Sequence, residues 1–196
     1  MNKDENKISQ RKSPRLAEFD YSLIGYYFVT ICTKDRQNHF GLVRNGKVVL
    51  SPAGMIAQNK WQSIPKYYPN VKLDEYVIMP NHIHGIIFIR DEITTKVVGT
   101  EHRSVHRKGN LFAKTRAEQC SAPTKNHYGL LSKIIKSFKE SVTKEINKEY
   151  GLNNFGWQRS FYDHVVRNEK DLIRVRQYIK NNPLKWFLDE YYNEQA

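Results

Sequence analysis

"VIMPNHIHGIIFI" (residues 77–89) sets two histidines, His82 and His84, at the head of an apolar run. Side chains of a β-strand alternate between faces, so residues two apart point the same way. His82 and His84 are therefore expected to project together, with Ile83 directed to the opposite face. "MPN" before the pair is turn material, and "GIIFI" after it reads as a buried strand. Two imidazoles side by side at a strand entrance can share a divalent metal through neutral ring nitrogens. Two ligands fall short of the four that a structural zinc site uses. The same spacing also fits one histidine that caps the turn beside another that packs at a sheet edge.

Working outward, "VKLDEYVIMP" and "HIHGIIFIR" make an antiparallel hairpin with the histidines at its inner end. Upstream, "GYYFVTICT" (25–33) is rich in β-branched and aromatic residues and reads as a first strand. "HFGLVRNGKVVLS" (39–51) carries the Asn-Gly signature of a tight hairpin at Asn45 and Gly46. "SPAGMIAQNKWQSIPKYYP" (51–69) starts with Ser51 at a cap and Pro52 just inside. It spaces Met55, Ile56, Asn59 and Trp61 or Gln62 as a helix face ending near Pro65. Downstream, Leu131, Ile135, Phe138, Val142 and Ile146 line one face of a second helix, and "FGWQRSFYDHVVRN" (155–168) reads as an aromatic strand. "EKDLIRVRQYIKNNP" (169–183) is a last helix, with Asn168 as N-cap and Pro183 as its stop. The expected fold class is α+β: a ferredoxin-like split βαβ with an antiparallel sheet, an added β-hairpin and a C-terminal helix.

The 196 residues suffice for one domain. Residues 1–18 read as a mobile polar tail, and 19–190 as one domain that contains a flexible basic insertion at 92–127. Thirty-two Lys and Arg against 20 Asp and Glu give a formal charge of +12, which points to a polyanionic partner, nucleic acid first. No apolar run approaches the roughly 20 residues of a membrane span, and the N-terminus has no signal-peptide core. A cytoplasmic protein without a membrane partner is expected. Cys32 and Cys120 are isolated and read as reduced bystanders.

In the last helix Leu172, Val175 and Ile179 form the inward stripe, and Tyr178 stands to one side of it. At about 100° per residue, Asn182 falls within roughly 40° of Tyr178 and one turn further along. A phenol and an amide oxygen beside two imidazoles would make a nucleophile and a three-ligand metal site. Pro183 is expected to push Asn182 away from helical geometry. Tyr162 is a rival nucleophile and His164 a rival ligand, both expected to be delivered to the core or its flank.

"MPNHIHGIIF", "WQRSFYDHVVRNEKDL" and "YIKNNPLKW", in this order, resemble the single-tyrosine HUH transposases, and most of all their REP-associated subgroup. His82, Ile83 and His84 match the histidine-hydrophobic-histidine element, and the resemblance runs from about residue 21 to 188. It implies that Tyr178 is the nucleophile and that His82, His84 and Asn182 hold a divalent metal, Mg2+ or Mn2+. It further implies cleavage and rejoining of single-stranded DNA, including hairpin-forming strands, through a 5′-phosphotyrosine, by a monomer or homodimer. Two other readings fit the residues. One is a nucleic-acid-binding module of ferredoxin-like fold without catalysis, and the other is a metal-dependent hydrolase with a water nucleophile.

Overall fold

The computed structural model describes residues 20–90, 129–151 and 155–192; the expected N-terminal tail, the basic insertion and Cys120 lie outside the described residues. In chain order the elements are β1 (Gly25–Cys32), β2 (Gly41–Arg44), β3 (Lys47–Leu50), α1 (Pro52–Gln62), α2 (Ile64–Tyr67), β4 (Val71–Ile78), β5 (His82–Ile89), α3 (Leu130–Tyr150), β6 (Tyr162–Val166) and α4 (Glu169–Asn181). Four strands pair in the order β4-β5-β1-β6, every neighbour antiparallel. Thus β1 and β4, joined through α1, run parallel with β5 between them. The same holds for β5 and β6, joined through α3, around β1. This is the ferredoxin-like plan read from the sequence. The separate two-stranded hairpin β2–β3 turns at Asn45 and Gly46, both at positive φ, as an Asn-Gly turn requires.

The strand period divides the core in two. Tyr27, Val29 and Ile31 of β1 and Ile83, Ile87 and Ile89 of β5 face α1 and α3. Phe28 and Ile86 face the opposite way, under Leu172, Val175 and Ile179 of α4. Because both faces are covered, every residue of β5 is buried, which is why "GIIFI" is apolar throughout rather than alternating. Each fully buried aliphatic side chain contributes roughly 1.5–3 kcal/mol, so the three on α4 suffice to seat that helix on the sheet. Gly85 lies opposite Trp61, and a Cβ there would stand 2.3 Å from the indole.

Three details differ from the sequence reading. The first helix ends at Gln62, and a single turn, α2, follows with Pro65 inside it. Pro65 has no N–H for the carbonyl one turn back, so the ladder breaks and restarts where a proline is tolerated. The buried stripe of α1 is Ala53, Ile56, Ala57 and Trp61, whereas Met55 is half exposed and Asn59 and Gln62 face solvent. Finally, the strand in "FGWQRSFYDHVVRN" is only Tyr162–Val166. The preceding aromatics anchor instead: Trp157 lies 5.4 Å from Phe40 and 5.8 Å from Phe138 between ring centroids, and its indole N–H donates to the Lys139 carbonyl at 3.2 Å. Among the described residues no helix is long and apolar enough to cross a membrane.

Candidate functional site

The turn before β5 fixes the first histidine. The Asn81 side-chain amide donates to the carbonyls of Arg36 (3.1 Å) and Tyr191 (2.8 Å). Its Oδ1 is thereby turned toward His82 Nδ1, 2.9 Å away. An amide oxygen can only accept, so the ring proton sits on Nδ1 and Nε2 keeps a bare lone pair. His84 Nδ1 has its own partner, Thr30 Oγ1, at 2.9 Å. As expected from the strand period, both rings lie on one face while Ile83 lies in the core, and the two Nε2 atoms converge to 3.0 Å. The rings are 0% and 1% exposed. Burial holds both neutral: it drives the His84 pKa down to about 3, and His82 lies well below its ordinary value through burial and then the neighbouring His84 and Arg36. Neutral imidazoles that hold partners through Nδ1 and turn their Nε2 atoms toward one point have the arrangement of metal-ligating histidines.

Helix α4 brings up the tyrosine. Asn168 caps it by accepting from the Asp171 N–H. Arg176 grips Asp74 of β4 with two hydrogen bonds, at 2.9 and 2.5 Å, and Lys180 pairs with Glu75 at 2.9 Å. With its inward stripe on the sheet, the helix points Tyr178 to the edge of the histidine pair. The phenol lies 3.3 Å from His84 Nε2 and its ring 5.1 Å from the His84 ring. The residue is 43% exposed, so the oxygen is reachable from outside. Burial, with Asp189 and Glu190 nearby, raises the Tyr178 pKa to about 12.

Asn182 stays helical, at φ −58° and ψ −43°, contrary to the expectation that Pro183 would turn it away. Pro183 instead starts a 3-10 segment, Pro183–Leu188, whose first turn does not need a proline N–H. Asn182 is 3% exposed; its Nδ2 donates to Asp189 Oδ2 at 2.6 Å, and its Oδ1 is buried without a hydrogen bond. The segment after α4 folds over the histidines, with the Tyr191 ring 4.7 Å and the Trp186 ring 5.9 Å from that of His82. It delivers a residue that the sequence did not single out: Asp189 joins His82 and His84 in a cluster whose ligand atoms all lie within 4.8 Å of one another. That cluster could hold a metal ion. Asp189 belongs to no periodic pattern, and only the reversal of the chain after Pro183 brings it here.

The rivals lie on β6, at the edge of the sheet and the flank of the core. Tyr162 pairs with Thr30 across β6 and β1, and Thr30 pairs with His84, so Tyr162 shares the histidine face rather than entering the core. It is 49% exposed. His164 lies further along the same face and gives Nε2 to Asp171 Oδ2 at 2.7 Å. Cys32 is buried and free, and burial pushes its thiol pKa up to about 11, which leaves it a poor ligand and nucleophile.

No family model matches the sequence. A Haemophilus influenzae (strain Rd) protein bearing the name "Uncharacterized protein" is 37% identical over 185 residues, which cover 94% of this chain and 94% of that protein. Another protein of that organism, "Putative REP-associated tyrosine transposase", is 22% identical over 166 residues, or 85% of this chain and 74% of its own length. Among solved structures, a REP-associated tyrosine transposase bound to a REP hairpin is 18% identical with a TM-score of 0.49, covering 88% of this chain and 74% of that one. The chain belongs to one family with the first of these Haemophilus influenzae proteins, and its sequence resembles the REP-associated tyrosine transposases.

Proposed function

We propose that the protein is a transposase-type strand transferase that cleaves and rejoins single-stranded DNA, including strands that fold back as hairpins, with Tyr178 as nucleophile. The observation that carries this reading is the Tyr178 phenol, 3.3 Å from His84 Nε2 at the edge of the His82, His84 and Asp189 cluster. The donor set fits a divalent cation: two imidazole nitrogens, a carboxylate, and the buried Asn182 Oδ1 that has no other partner. His82, His84, Asn182 and Asp189 are the residues that would hold it. Oxygen donors suit magnesium or manganese, and the imidazoles favour manganese in affinity. When bound, such an ion supplies neutralisation of the charge that develops on a phosphodiester.

The protein's own groups account for the rest. The Tyr178 oxygen bonds to phosphorus as the bond from phosphorus to the 3′-oxygen breaks. The phenol gives up its proton and the leaving oxygen takes one, so the products are a 5′-phosphotyrosine and a 3′-hydroxyl. One phosphodiester replaces another, and the same hydroxyl can attack back to rejoin strands without ATP. With a phenol pKa raised to about 12, little tyrosinate exists near neutrality, so the phenol loses its proton as the bond to phosphorus forms rather than beforehand. A phenol on a helix flank reaches the phosphate of an unstacked strand more readily than one inside a duplex, and the surplus of basic residues suits backbone contacts.

His82→Ala tests this reading with two readouts on one labelled single strand. Cleavage in manganese should vanish, while binding, which rests on dispersed Lys and Arg contacts, should persist and weaken with salt. Retained cleavage would remove the histidines from the chemistry. Equal loss of both would make them part of the DNA surface, and binding without cleavage by the wild type would favour a non-catalytic module.

A further inference from the structure

Tyr178 stands between two cavities of different chemistry. On the β6 side, Phe28, Tyr162, Tyr178 and Tyr191 wall one of about 390 Å³. Along the outer face of α4 lies a wider one of about 740 Å³, edged by Lys170, Gln177, Asn181 and Lys185, with Asp189 and Glu190 also on its lining. Arg174, one turn before Tyr178, borders both. A single strand that offers a phosphate to the Tyr178 oxygen has to continue to either side of it. The wider cavity, where Lys170, Arg174 and Lys185 outnumber Asp189 and Glu190, suits sugar and phosphate. The smaller, ringed by aromatics, suits a base.

We propose that the smaller cavity is a base-binding subsite for the nucleotide next to the broken phosphodiester, with the Tyr162 ring as stacking partner and Arg174 contacting the adjoining phosphate. The proposal rests on the reading of Tyr178 as a nucleophile toward single-stranded DNA.

The rings are held in place before any ligand arrives. Phe28, itself buried, meets Tyr162 and Tyr178 edge-on with centroids 6.3 and 6.0 Å away, so one buried ring braces both tyrosines of the wall. Tyr162 is half exposed and keeps ring surface for a base. A volume near 390 Å³ lies within the range of small-ligand pockets. At the rim, His164 and Arg174 both hold Asp171, through its Oδ2 at 2.7 Å and its Oδ1 at 2.6 Å. That arrangement fixes the guanidinium while leaving it further donors for a phosphate. Glu190 also borders the cavity. Glu190 lines the wider cavity too, so the aromatic walls place the base in the smaller one, where the carboxylate can accept hydrogen bonds from a base amino group. Bases with an exocyclic amino group should be preferred to thymine.

The probe follows from that preference: a strand of about 15 thymidines, one binding site long, with a single central 2-aminopurine, whose amino group and fluorescence report entry. Wild-type protein should quench the fluorescence on binding, and Tyr162→Phe should quench it equally. Tyr162→Ala, with its folding checked by thermal melting, should lose most of the quenching and bind about 5- to 150-fold more weakly, the cost of one lost stack. Wild-type quenching and affinity in Tyr162→Ala would overturn the subsite, as would a Phe variant as impaired as the Ala one. Both outcomes are independent of cleavage. Tyr162-dependent quenching by a protein that never cleaves DNA would keep the subsite and remove the nucleophile reading.

Discussion

The Thr30 hydroxyl and the Asn81 amide decide what the two histidines can do, because each occupies an Nδ1 and leaves the Nε2 atoms facing one point. Thr30→Val keeps the shape of a strand residue and removes only the oxygen. We expect manganese affinity, measured by isothermal titration calorimetry, to fall about 10- to 100-fold, as for other outer partners of metal-ligating histidines. An unchanged affinity would mean that the bond does not orient His84. The neutral imidazoles also predict an acid response in metal-free protein. Both folded pKa values lie below the ordinary 6.5, that of His84 at about 3. The stability linked to them is present above pH 6.5 and lost as pH falls toward the folded values, because the unfolded chain binds the protons first. The urea midpoint should therefore drop between neutrality and about pH 4, before Asp74 and Asp171, whose pKa values lie below 3.8, contribute. A midpoint that stays level over that range would contradict the burial of neutral rings. At this scale the histidine pair was legible because a strand has a period of two. Asn81 and Asp189 were not, since their roles arise from contacts with Arg36, Tyr191 and Asn182 far away in sequence.

Helix α4 carries Tyr178 at a fixed height over the sheet, so changes to its docking should move the phenol. The Asn168 cap was readable from its place before Glu169 and Asp171. Asn168→Ala should cost about 1 kcal/mol in urea unfolding, and no loss would show the cap to be idle. Behind the histidines, Gly85 admits the Trp61 indole against β5, and Gly85→Ala should cost about 1–3 kcal/mol through forced displacement of a packed ring. Wild-type stability there would show that the indole can move aside freely. Helix starts and inward stripes were legible where apolar residues recur at three and four. Pro183 ends α4 as expected, but two local effects of proline were not legible. Pro65 sits within a new helical turn, and Pro183 follows an Asn182 that remains helical, because both occupy the first turn of a following segment, where the missing N–H costs nothing. The long aromatic stretch before β6 differs for another reason: Phe155 and Trp157 pack as anchors on Phe40 and Phe138, and pairing there is limited to one bridge from Trp157 to Thr33.

Taken whole, the chain is a sheet covered by α1 and α3 on one side and by α4 on the other, and the candidate site opens at the end of the α4 side. The strand order agrees with the split βαβ plan that the alternation of strands and helices matches. The closure of the site by residues after Pro183 was not legible, as that segment has neither helical nor strand periodicity. A formal charge of +12 predicts that affinity for single-stranded DNA falls linearly with salt on a log–log plot, by about 0.7 per phosphate neutralised. The central claim is that Tyr178 makes the covalent bond. Tyr178→Phe retains the ring against Phe28 and His84 and removes the oxygen, so folding should change by less than about 1.5 kcal/mol. The decisive measurement is a denaturing gel of protein incubated with labelled single-stranded DNA and manganese. A protein–DNA adduct formed by the wild type and absent from Tyr178→Phe is the predicted result. An adduct that persists in Tyr178→Phe and disappears in Tyr162→Phe would transfer the role to Tyr162, and one that persists in both would contradict the tyrosine mechanism.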